Sequence, residues 1–446
     1  MASAHDGHPG GPGELNLWGA RLVDGTGGPP RERVVVTIRE GRVAAIDDAR
    51  GEAPVGAVDL AGTTLMPGLV DAHVHLLSDD IRSAGFGPPP ELHGELPRPR
   101  EVGHYVLAKT AQALLEAGVT TVRDVGSMDD EAIALRTAVE LGTVAGPRIL
   151  TCGRIVSATS PGGRIFGSMY READGVDDVR KAVREQIRRG ADFVKVMATG
   201  ARSVVREDPE PAQLTRDELR ALTDEAHRLG FRVAAHAEGL EGCRLAIEEG
   251  VDTVEHGLSL HREPALLEQM ARDGIVLVPT LTTFHDLAER FAGHFPVKLV
   301  DQAKRQLEAA YLTLVAARSA GVTLAMGFDS APPGANATEL VRMVEGGLPA
   351  AEGLVAATAN GATALGLEDV GVVRPGAIAD LLVVEGDPLE APRVLLDRSR
   401  IRLVCRDGVV VAGRSLDGSG PAWENRRPVT FGEAPFGSPC ADIVRP

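Results

Sequence analysis

The chain has 446 residues, which is enough for one large domain with additions or for two or three domains. Hydrophobic residues make up 43% of it, as in an ordinary globular protein, and a net charge of −16 argues against a nucleic-acid partner. Four widely spaced cysteines, with no apolar run long enough for a membrane span or signal peptide, predict a cytoplasmic protein that has no membrane partner.

The two ends of the chain are rich in predicted strands. Residues 1–14 are rich in Gly, Pro and His and predict a disordered tail, after which residues 15–65 show short strands separated by Gly-containing turns. The same pattern returns in 370–420, for example in ADLLVVEG. We expect 15–65 and 370–420 to pair into one small composite β-sandwich domain, and 421–446 to form an irregular tail.

Residues 66–369 alternate short apolar strands with amphipathic helices. The predicted strands are 67–75, 119–125, 147–153, 191–199, 231–237, 251–256, 275–281 and 322–329. Helices are predicted between them, and Thr215 with Glu218 predicts a capping box at the start of one. Eight strands in alternation with helices predict the α/β class and a (β/α)₈ TIM-type barrel over this range.

The first of these strands ends in two histidines, His73 and His75. Residues i and i+2 of a strand share a face, so both imidazoles point the same way. Imidazole is the commonest metal-binding side chain. Taken alone, the pair is equally compatible with a packing or hydrogen-bonding role.

Further polar residues stand at the ends of other predicted strands. His236 ends the fifth strand, His256 the sixth and Asp329 the eighth, while Lys195 lies inside the apolar fourth strand. Because the catalytic face of such barrels lies at the carboxyl ends of the strands, this convergence favours a metal site.

Lys195 admits two interpretations. A buried lysine can pair with a carboxylate across the barrel. Alternatively, desolvation lowers its pKa, and the neutral amine captures carbon dioxide as a carbamate that bridges two metal ions.

The motifs LMPGLVDAHVHL, VKVMATG, AAHAEG, VEHG and GFD, in this order, resemble those of the amidohydrolase superfamily in its binuclear subtype. RPGAIADLLVVEGDP is similar to the C-terminal signature of that family. The nearest likeness is to the imidazolonepropionase-like branch that contains Xaa-Pro dipeptidases and ochratoxin-hydrolysing enzymes. The resemblance covers nearly the whole chain.

The resemblance implies a division of the ligands between two ions. His73, His75 and Asp329 would hold the more buried ion, His236 and His256 the more exposed one, and carbamylated Lys195 would bridge them together with a hydroxide. Zinc suits these donors best, with manganese, cobalt or iron as alternatives. Asp329 would act as general base and then general acid in hydrolysis of an amide bond.

Two loop positions depart from the pattern of the dipeptidase-like relatives. Arg164 stands where those relatives carry the histidine of a Gly-Gly-His turn, and Glu238 stands where they carry tyrosine or histidine. These charges are either solvated, paired with each other, or in contact with substrate, Arg164 with a carboxylate and Glu238 with an amine. Tyr170 and Arg202, on nearby loops, are further candidates for substrate binding.

The sequence therefore predicts a homo-oligomeric, metal-dependent hydrolase of an amide bond in a dipeptide or an N-acyl amino acid. One alternative is a mononuclear deaminase or cyclic-amide hydrolase of the same superfamily, which Glu238 favours and Lys195 disfavours. Another is a non-catalytic structural or binding protein. We also expect Arg123 and Asp124, adjacent on the second strand, to form a structural ion pair.

Overall fold

The computed structural model describes most of the chain between the two predicted tails. The described residues are 14–77, 100–201, 204, 206–290, 292–294 and 296–413. The predicted C-terminal tail and Arg202 lie outside these ranges, as does the predicted N-terminal tail except for Glu14, which opens the first strand.

Seventeen strands are present in the described residues. They are β1 (Glu14–Leu22), β2 (Arg31–Arg39), β3 (Arg42–Asp48), β4 (Val58–Asp59), β5 (Thr63–Pro67), β6 (Leu69–Val74), β7 (Val119–Asp124), β8 (Arg148–Thr151), β9 (Ile155–Ser157), β10 (Tyr170–Glu172), β11 (Val194–Met197), β12 (Val233–Ala237), β13 (Thr253–His256), β14 (Val276–Val278), β15 (Leu381–Glu385), β16 (Ile401–Arg406) and β17 (Val409–Gly413).

Twelve α-helices occur in the same residues. They are α1 (Arg100–Glu116), α2 (Glu131–Glu140), α3 (Pro161–Phe166), α4 (Val176–Arg189), α5 (Arg216–Arg228), α6 (Leu240–Glu248), α7 (Pro264–Asp273), α8 (Leu281–His285), α9 (Val297–Ser319), α10 (Ala337–Glu345), α11 (Ala350–Ala356) and α12 (Ala359–Leu365). In the described part of the chain, no helix combines the length and apolarity that a bilayer crossing requires.

The strands of the two chain ends form one mixed sheet. Its order is β17-β16-β15-β5-β1-β2-β3, with β4 pairing β1. The two ends meet where β15 runs antiparallel to β5, with Leu381 opposite Pro67 and Val383 opposite Leu65. Leu65, Leu381 and Val383 are fully buried in one apolar cluster, so burial of these side chains explains why distant segments pair here.

Between the end segments, parallel strands alternate with helices. The strands form a three-stranded sheet, β6-β7-β8, and a six-stranded sheet, β10-β9-β11-β12-β13-β14. Their apolar side chains and those of the helices share one large core cluster. The predicted capping box of α5 is confirmed, because the Thr215 side chain accepts from the Glu218 amide and the Glu218 side chain accepts from the Thr215 amide.

Backbone hydrogen bonds connect the two parallel sheets through the segment 322–329. The Ala325 amide donates to Leu277 of the β14 strand at 3.0 Å, and the Ala72 amide of β6 donates to Met326 at 2.8 Å. The sequence predicts a full eighth strand here, and that prediction is wrong in detail, since only an isolated bridge joins Leu277 to Leu324. The segment divides its hydrogen bonds among several neighbours, so no continuous ladder forms.

The loop after β8 is more structured than the sequence predicts. It contains the three-residue strands β9 and β10 and the short helix α3, all within a region expected to be a long loop. Elements this short show no measurable hydrophobic period. After the last predicted strand, the helical segment 350–365 is divided into α11 and α12 by Ala357 and Thr358.

Candidate metal centre

The fold brings the predicted imidazoles together. The ring centroids of His73 and His75 lie 5.5 Å apart, those of His73 and His256 5.2 Å, and those of His236 and His256 4.5 Å. β6, β12 and β13 end at the same edge of the parallel sheets, so each strand delivers its histidine to one place.

Asp329 faces the first pair of histidines. Its Oδ1 lies 3.6 Å from the Nε2 atoms of both His73 and His75. Potential ligand atoms of His73, His256 and Asp329 all lie within 4.8 Å of one another. One carboxylate oxygen is therefore placed between two imidazoles of the same strand end.

A second group includes a carboxylate that extends beyond β12. Ligand atoms of His236, Glu238 and His256 lie within 4.8 Å of one another, and all three residues are buried. Glu238 Oε1 is 3.3 Å from His236 Nε2, and Gln306 of α9 donates to Glu238 Oε2 at 3.1 Å. Glu238 thus belongs to the cluster itself.

Each of the four imidazoles has one ring nitrogen engaged by a partner outside the cluster. Three of them use Nδ1: His73 contacts Glu255 Oε2 at 2.7 Å, His75 contacts the Gly126 carbonyl at 2.7 Å, and His256 contacts the Thr280 hydroxyl at 2.6 Å. His236 uses Nε2, which contacts the Gly200 carbonyl at 3.1 Å. Such outer partners fix the tautomer and orientation of ligating histidines. The arrangement leaves Nε2 of His73, His75 and His256 for the site, whereas Nε2 of His236 faces both the Gly200 carbonyl and Glu238.

Lys195 lies in β11, beside β12, with 2% of its surface exposed. Its Nζ has no hydrogen-bond partner among the described residues. Burial lowers the pKa of Lys195 to about 8, with the Glu255 carboxylate opposing the shift. A lowered pKa makes the neutral amine more populated than in a solvated lysine, and only the neutral amine is a nucleophile.

The backbone is in the left-handed region at two of these residues. The φ angle is 70° at His256 and 40° at Asp329, a conformation that residues other than glycine adopt rarely. Strain of this kind persists where the surrounding structure enforces it and is concentrated at functional sites. Gly327 lies two residues before Asp329, and a Cβ added to it would lie 2.7 Å from the His73 Cβ. The backbone at Gly327 therefore packs directly against His73.

The predicted substrate-binding residues differ in their exposure and contacts. Arg164 is exposed on α3, whereas Tyr170 is buried and stacks on Phe166 with centroids 5.0 Å apart. Glu238 is only 1% exposed, so its interpretation as a solvated loop charge is wrong. Its carboxylate contacts His236 and Gln306. Arg202 is outside the described residues.

Glu255 is a residue of the site that was not predicted from the sequence, and the partner of Arg123 differs from the predicted one. Arg123 donates to Glu255 Oε1 at 2.7 Å, whereas Asp124 accepts from the Thr151 hydroxyl and the Leu76 amide. The predicted Arg123–Asp124 pair is therefore wrong, since adjacent residues of a strand point to opposite faces. A glutamate inside an apolar strand was the available signal, because a buried charge requires a partner.

Comparison with known proteins assigns a family to this architecture. The model of the amidohydrolase family matches residues 64–411, which is most of the chain, and the chain belongs to this family of hydrolases. The family resemblance noted from the motifs is confirmed. The fold is accordingly of the TIM-barrel type of that family, with an added mixed sheet from both chain ends.

Individual relatives are similar over most of the chain. Ochratoxinase from Aspergillus niger is 31% identical over 448 residues, covering 92% of this chain and 88% of that protein. Imidazolonepropionase from Paracoccus denitrificans is 27% identical, covering 73% and 80%. The crystal structure of a Xaa-Pro dipeptidase with bound methionine in its active site has a TM-score of 0.80 at 29% identity, covering 89% and 99%.

Proposed function

We propose that this protein is a metal-dependent hydrolase that cleaves an amide bond in a small substrate such as a dipeptide or an N-acyl amino acid. The observation that carries the proposal is the convergence of four histidines and Asp329 on one place. Beside them, on β11, the amine of Lys195 is buried and has no hydrogen-bond partner among the described residues. Ochratoxinase and Xaa-Pro dipeptidase among the relatives support an amide substrate.

The donor set fits divalent metal ions. Zn–N and Zn–O bonds of about 2.0–2.2 Å place two donors of a tetrahedral ion about 3.3–3.6 Å apart. Asp329 Oδ1 lies 3.6 Å from each of the His73 and His75 Nε2 atoms, which is long for a charge-assisted hydrogen bond and matches that spacing. Zinc is the preferred candidate, and manganese, cobalt or iron also suit imidazole and oxygen donors.

The ligands divide naturally between two ions. His73, His75 and Asp329 would hold one ion, and His236 and His256 the other. Lys195 would bridge them after its neutral Nζ attacks carbon dioxide, forming an N–C bond and releasing a proton to give a carbamate. When bound, such ions lower the pKa of water and polarise a carbonyl group.

Asp329 moves the proton in the proposed reaction. Its carboxylate accepts a proton from the attacking water and delivers it to the amine nitrogen as the C–N bond breaks. Asp329 is the last residue of the segment 322–329, which joins β14 to β6. Its amide donates to the His73 carbonyl at 3.0 Å. The proton acceptor is thereby fixed to the strand that carries two ligands.

We further infer that the parallel strands and the segment 322–329 close a (β/α)₈ barrel over 66–369. Hydrogen bonds from Asp192 to Thr151 and from Asp329 to His73 support closure on both sides of the six-stranded sheet. Residues 15–65 and 370–420 would form the composite β-sandwich domain, although residues 414–420 of this range lie outside the described residues. The cytoplasmic location and the homo-oligomeric state remain predictions from the sequence.

One alternative is a mononuclear deaminase or cyclic-amide hydrolase. The contact of Glu238 with His236 favours it, because a carboxylate beside this histidine can shuttle protons. The two interpretations predict different metal contents, with two ions per chain in the amide hydrolase and one in the alternative. A non-catalytic relative would instead show no hydrolysis when fully loaded with metal.

The proposal is tested by loading the purified protein with zinc and assaying release of free amines from a panel of dipeptides and N-acyl amino acids. The panel includes Xaa-Pro dipeptides and ochratoxin-like amides. We expect two ions per chain by elemental analysis and turnover of at least one panel member. One ion per chain, with deamination or ring opening in place of amide cleavage, would establish the alternative.

Substrate contacts are tested at Arg164 and Glu238 once a substrate is known. We propose that exposed Arg164 meets a substrate carboxylate and that Glu238 meets an amine. Arg164→Ala should raise KM about 10-fold or more, as expected for loss of an ion-paired hydrogen bond. If kcat/KM stays unchanged in both Arg164→Ala and Glu238→Gln, neither residue contacts substrate. Arg188→Ala, on α4, is the control for loss of an arginine on another helix.

A further inference from the structure

We infer that the buried pair of Glu255 and Arg123 positions His73 and fixes which of its ring nitrogens faces the metal centre. This inference rests on the proposed function, since it concerns a residue that would hold the first ion. Neither Glu255 nor Arg123 touches the reacting atoms in this proposal, and both act through His73. They are therefore positioning residues.

Glu255 uses both of its carboxylate oxygens. Oε2 lies 2.7 Å from His73 Nδ1, and Oε1 accepts from Arg123 Nη2 at 2.7 Å and from the Thr253 hydroxyl at 2.5 Å. The side chain is completely buried. A carboxylate paired with a guanidinium can only accept at its other oxygen, so His73 Nδ1 carries the hydrogen.

This tautomer leaves a lone pair on His73 Nε2. That atom is 3.6 Å from Asp329 Oδ1, on the side where the other imidazoles converge. A ligating imidazole must offer a lone pair to the ion. If Glu255 were lost, His73 could place its hydrogen on Nε2, and the ring would also lose its fixed orientation.

Arg123 is held as firmly as Glu255. Its Nε donates to the Ala72 carbonyl at 2.7 Å, its Nη1 donates to Thr253 at 3.1 Å, and its guanidinium lies 5.3 Å from the Phe193 ring centroid. Ala72 precedes His73 on β6. Arg123 therefore fixes both the strand that carries His73 and the carboxylate that accepts from it.

The chain geometry at β13 allows Glu255 and His256 to serve the same site. Consecutive residues of a regular strand point to opposite faces. The left-handed φ of 70° at His256 departs from that alternation, and both residues contact His73, Glu255 by hydrogen bond and His256 by ring packing. Because of the backbone conformation at His256, β13 can supply both His256, a proposed ligand, and Glu255, the hydrogen-bond partner of the proposed ligand His73.

The experiment compares Glu255→Met, Arg123→Met and the double variant in the full chain. Each single variant leaves one buried charge unpaired and should lower the Tm of the metal-free protein, whereas the double variant removes both charges and should recover much of that Tm. We expect zinc affinity, measured by chelator competition, to stay about 10- to 100-fold below wild type in the double variant, as for loss of other outer partners of ligating histidines.

Recovery of zinc affinity together with Tm in the double variant would overturn the inference, because it would show a purely structural pair. Glu255→Gln covers the case in which the methionine variants do not fold. Its amide has an oxygen on one side and an NH₂ group on the other, so with His73 and Arg123 on opposite sides it can accept from only one of them. Wild-type zinc affinity in this variant with His73 protonated at Nε2 would also overturn the inference. Glu225→Met is the matched control, since Glu225 is a buried carboxylate that pairs with Arg184 between α4 and α5.

A spectroscopic readout separates this inference from the proposed function. Nitrogen-15 NMR of the metal-free wild type should show His73 protonated at Nδ1, and Glu255→Met should shift that ring toward the Nε2-protonated form. An Nε2-protonated His73 in the wild type would refute the positioning role directly. Wild-type protein that shows the expected tautomer but binds no divalent ion would instead refute the proposed function.

Discussion

Lys195→Ala is expected to lose bound metal and hydrolytic activity together. Lys195 is buried without a hydrogen-bond partner among the described residues, and the proposed carbamate on its Nζ is the group that joins the two ions. Removal of an outer partner of a ligand costs about 10- to 100-fold in metal affinity, so removal of a bridging ligand should cost more than about 100-fold. Elemental analysis after dialysis and kcat/KM on the same samples measure both effects.

Two further variants isolate the chemistry of the amine. Lys195→Met keeps most of the side-chain volume and should lose metal as Lys195→Ala does, which separates carbamate formation from cavity formation. Lys181→Ala removes an exposed lysine of α4 and should retain metal and activity. Two tightly bound ions per chain in Lys195→Ala would show that the residue does not bridge them.

The sequence predicted the histidine cluster because parallel strands bring the residues at their carboxyl ends to one edge of the sheet. His73, His236 and His256 each end a short apolar strand, and the structure places their rings within 5.2 Å of a neighbour. That inference needs only the order of strands and helices, since the right-handed alternation fixes where the carboxyl ends lie. The pairing of the two chain ends was predicted because both flanks of the barrel region are rich in strands, and the antiparallel pair of β15 and β5 confirms it.

The residues that hydrogen-bond to these histidines from outside the cluster could not be predicted in the same way. Glu255 contacts His73 across 182 residues of sequence, and no local pattern encodes a contact of that range. The strand alternation also assigns Glu255 and His256 to opposite faces, and only the left-handed backbone at His256 changes that. Strained residues at functional sites are where sequence rules are expected to fail.

Glu238 shows a second limit of the sequence. Its position two residues after His236 predicts that it faces the same way, and this is confirmed by the 3.3 Å contact with His236. Its carboxylate, however, also accepts from Gln306 of α9, a helix that is far away in the sequence. A side chain at a strand end therefore cannot be classed as solvated until the helix above it is placed.

Asp329→Asn is expected to lower kcat by about 10²- to 10⁴-fold, the usual contribution of a general base or acid. An asparagine oxygen can still face His73 and His75, so metal should be partly retained, but the amide cannot take a proton from water. Asparagine also tolerates the left-handed φ of 40° at this position, which makes it a better test than alanine.

The measurement for Asp329→Asn is kcat and KM at saturating zinc, with metal content determined on the same protein. Asp301→Asn, at an exposed position of α9, is the control for loss of a carboxylate elsewhere. A kcat within about 3-fold of wild type would assign proton transfer to another group. Glu238 would then be the next candidate, because its carboxylate belongs to the second group of potential ligand atoms. A large fall in kcat with retained metal and little change in KM would establish Asp329 as the residue that moves the proton.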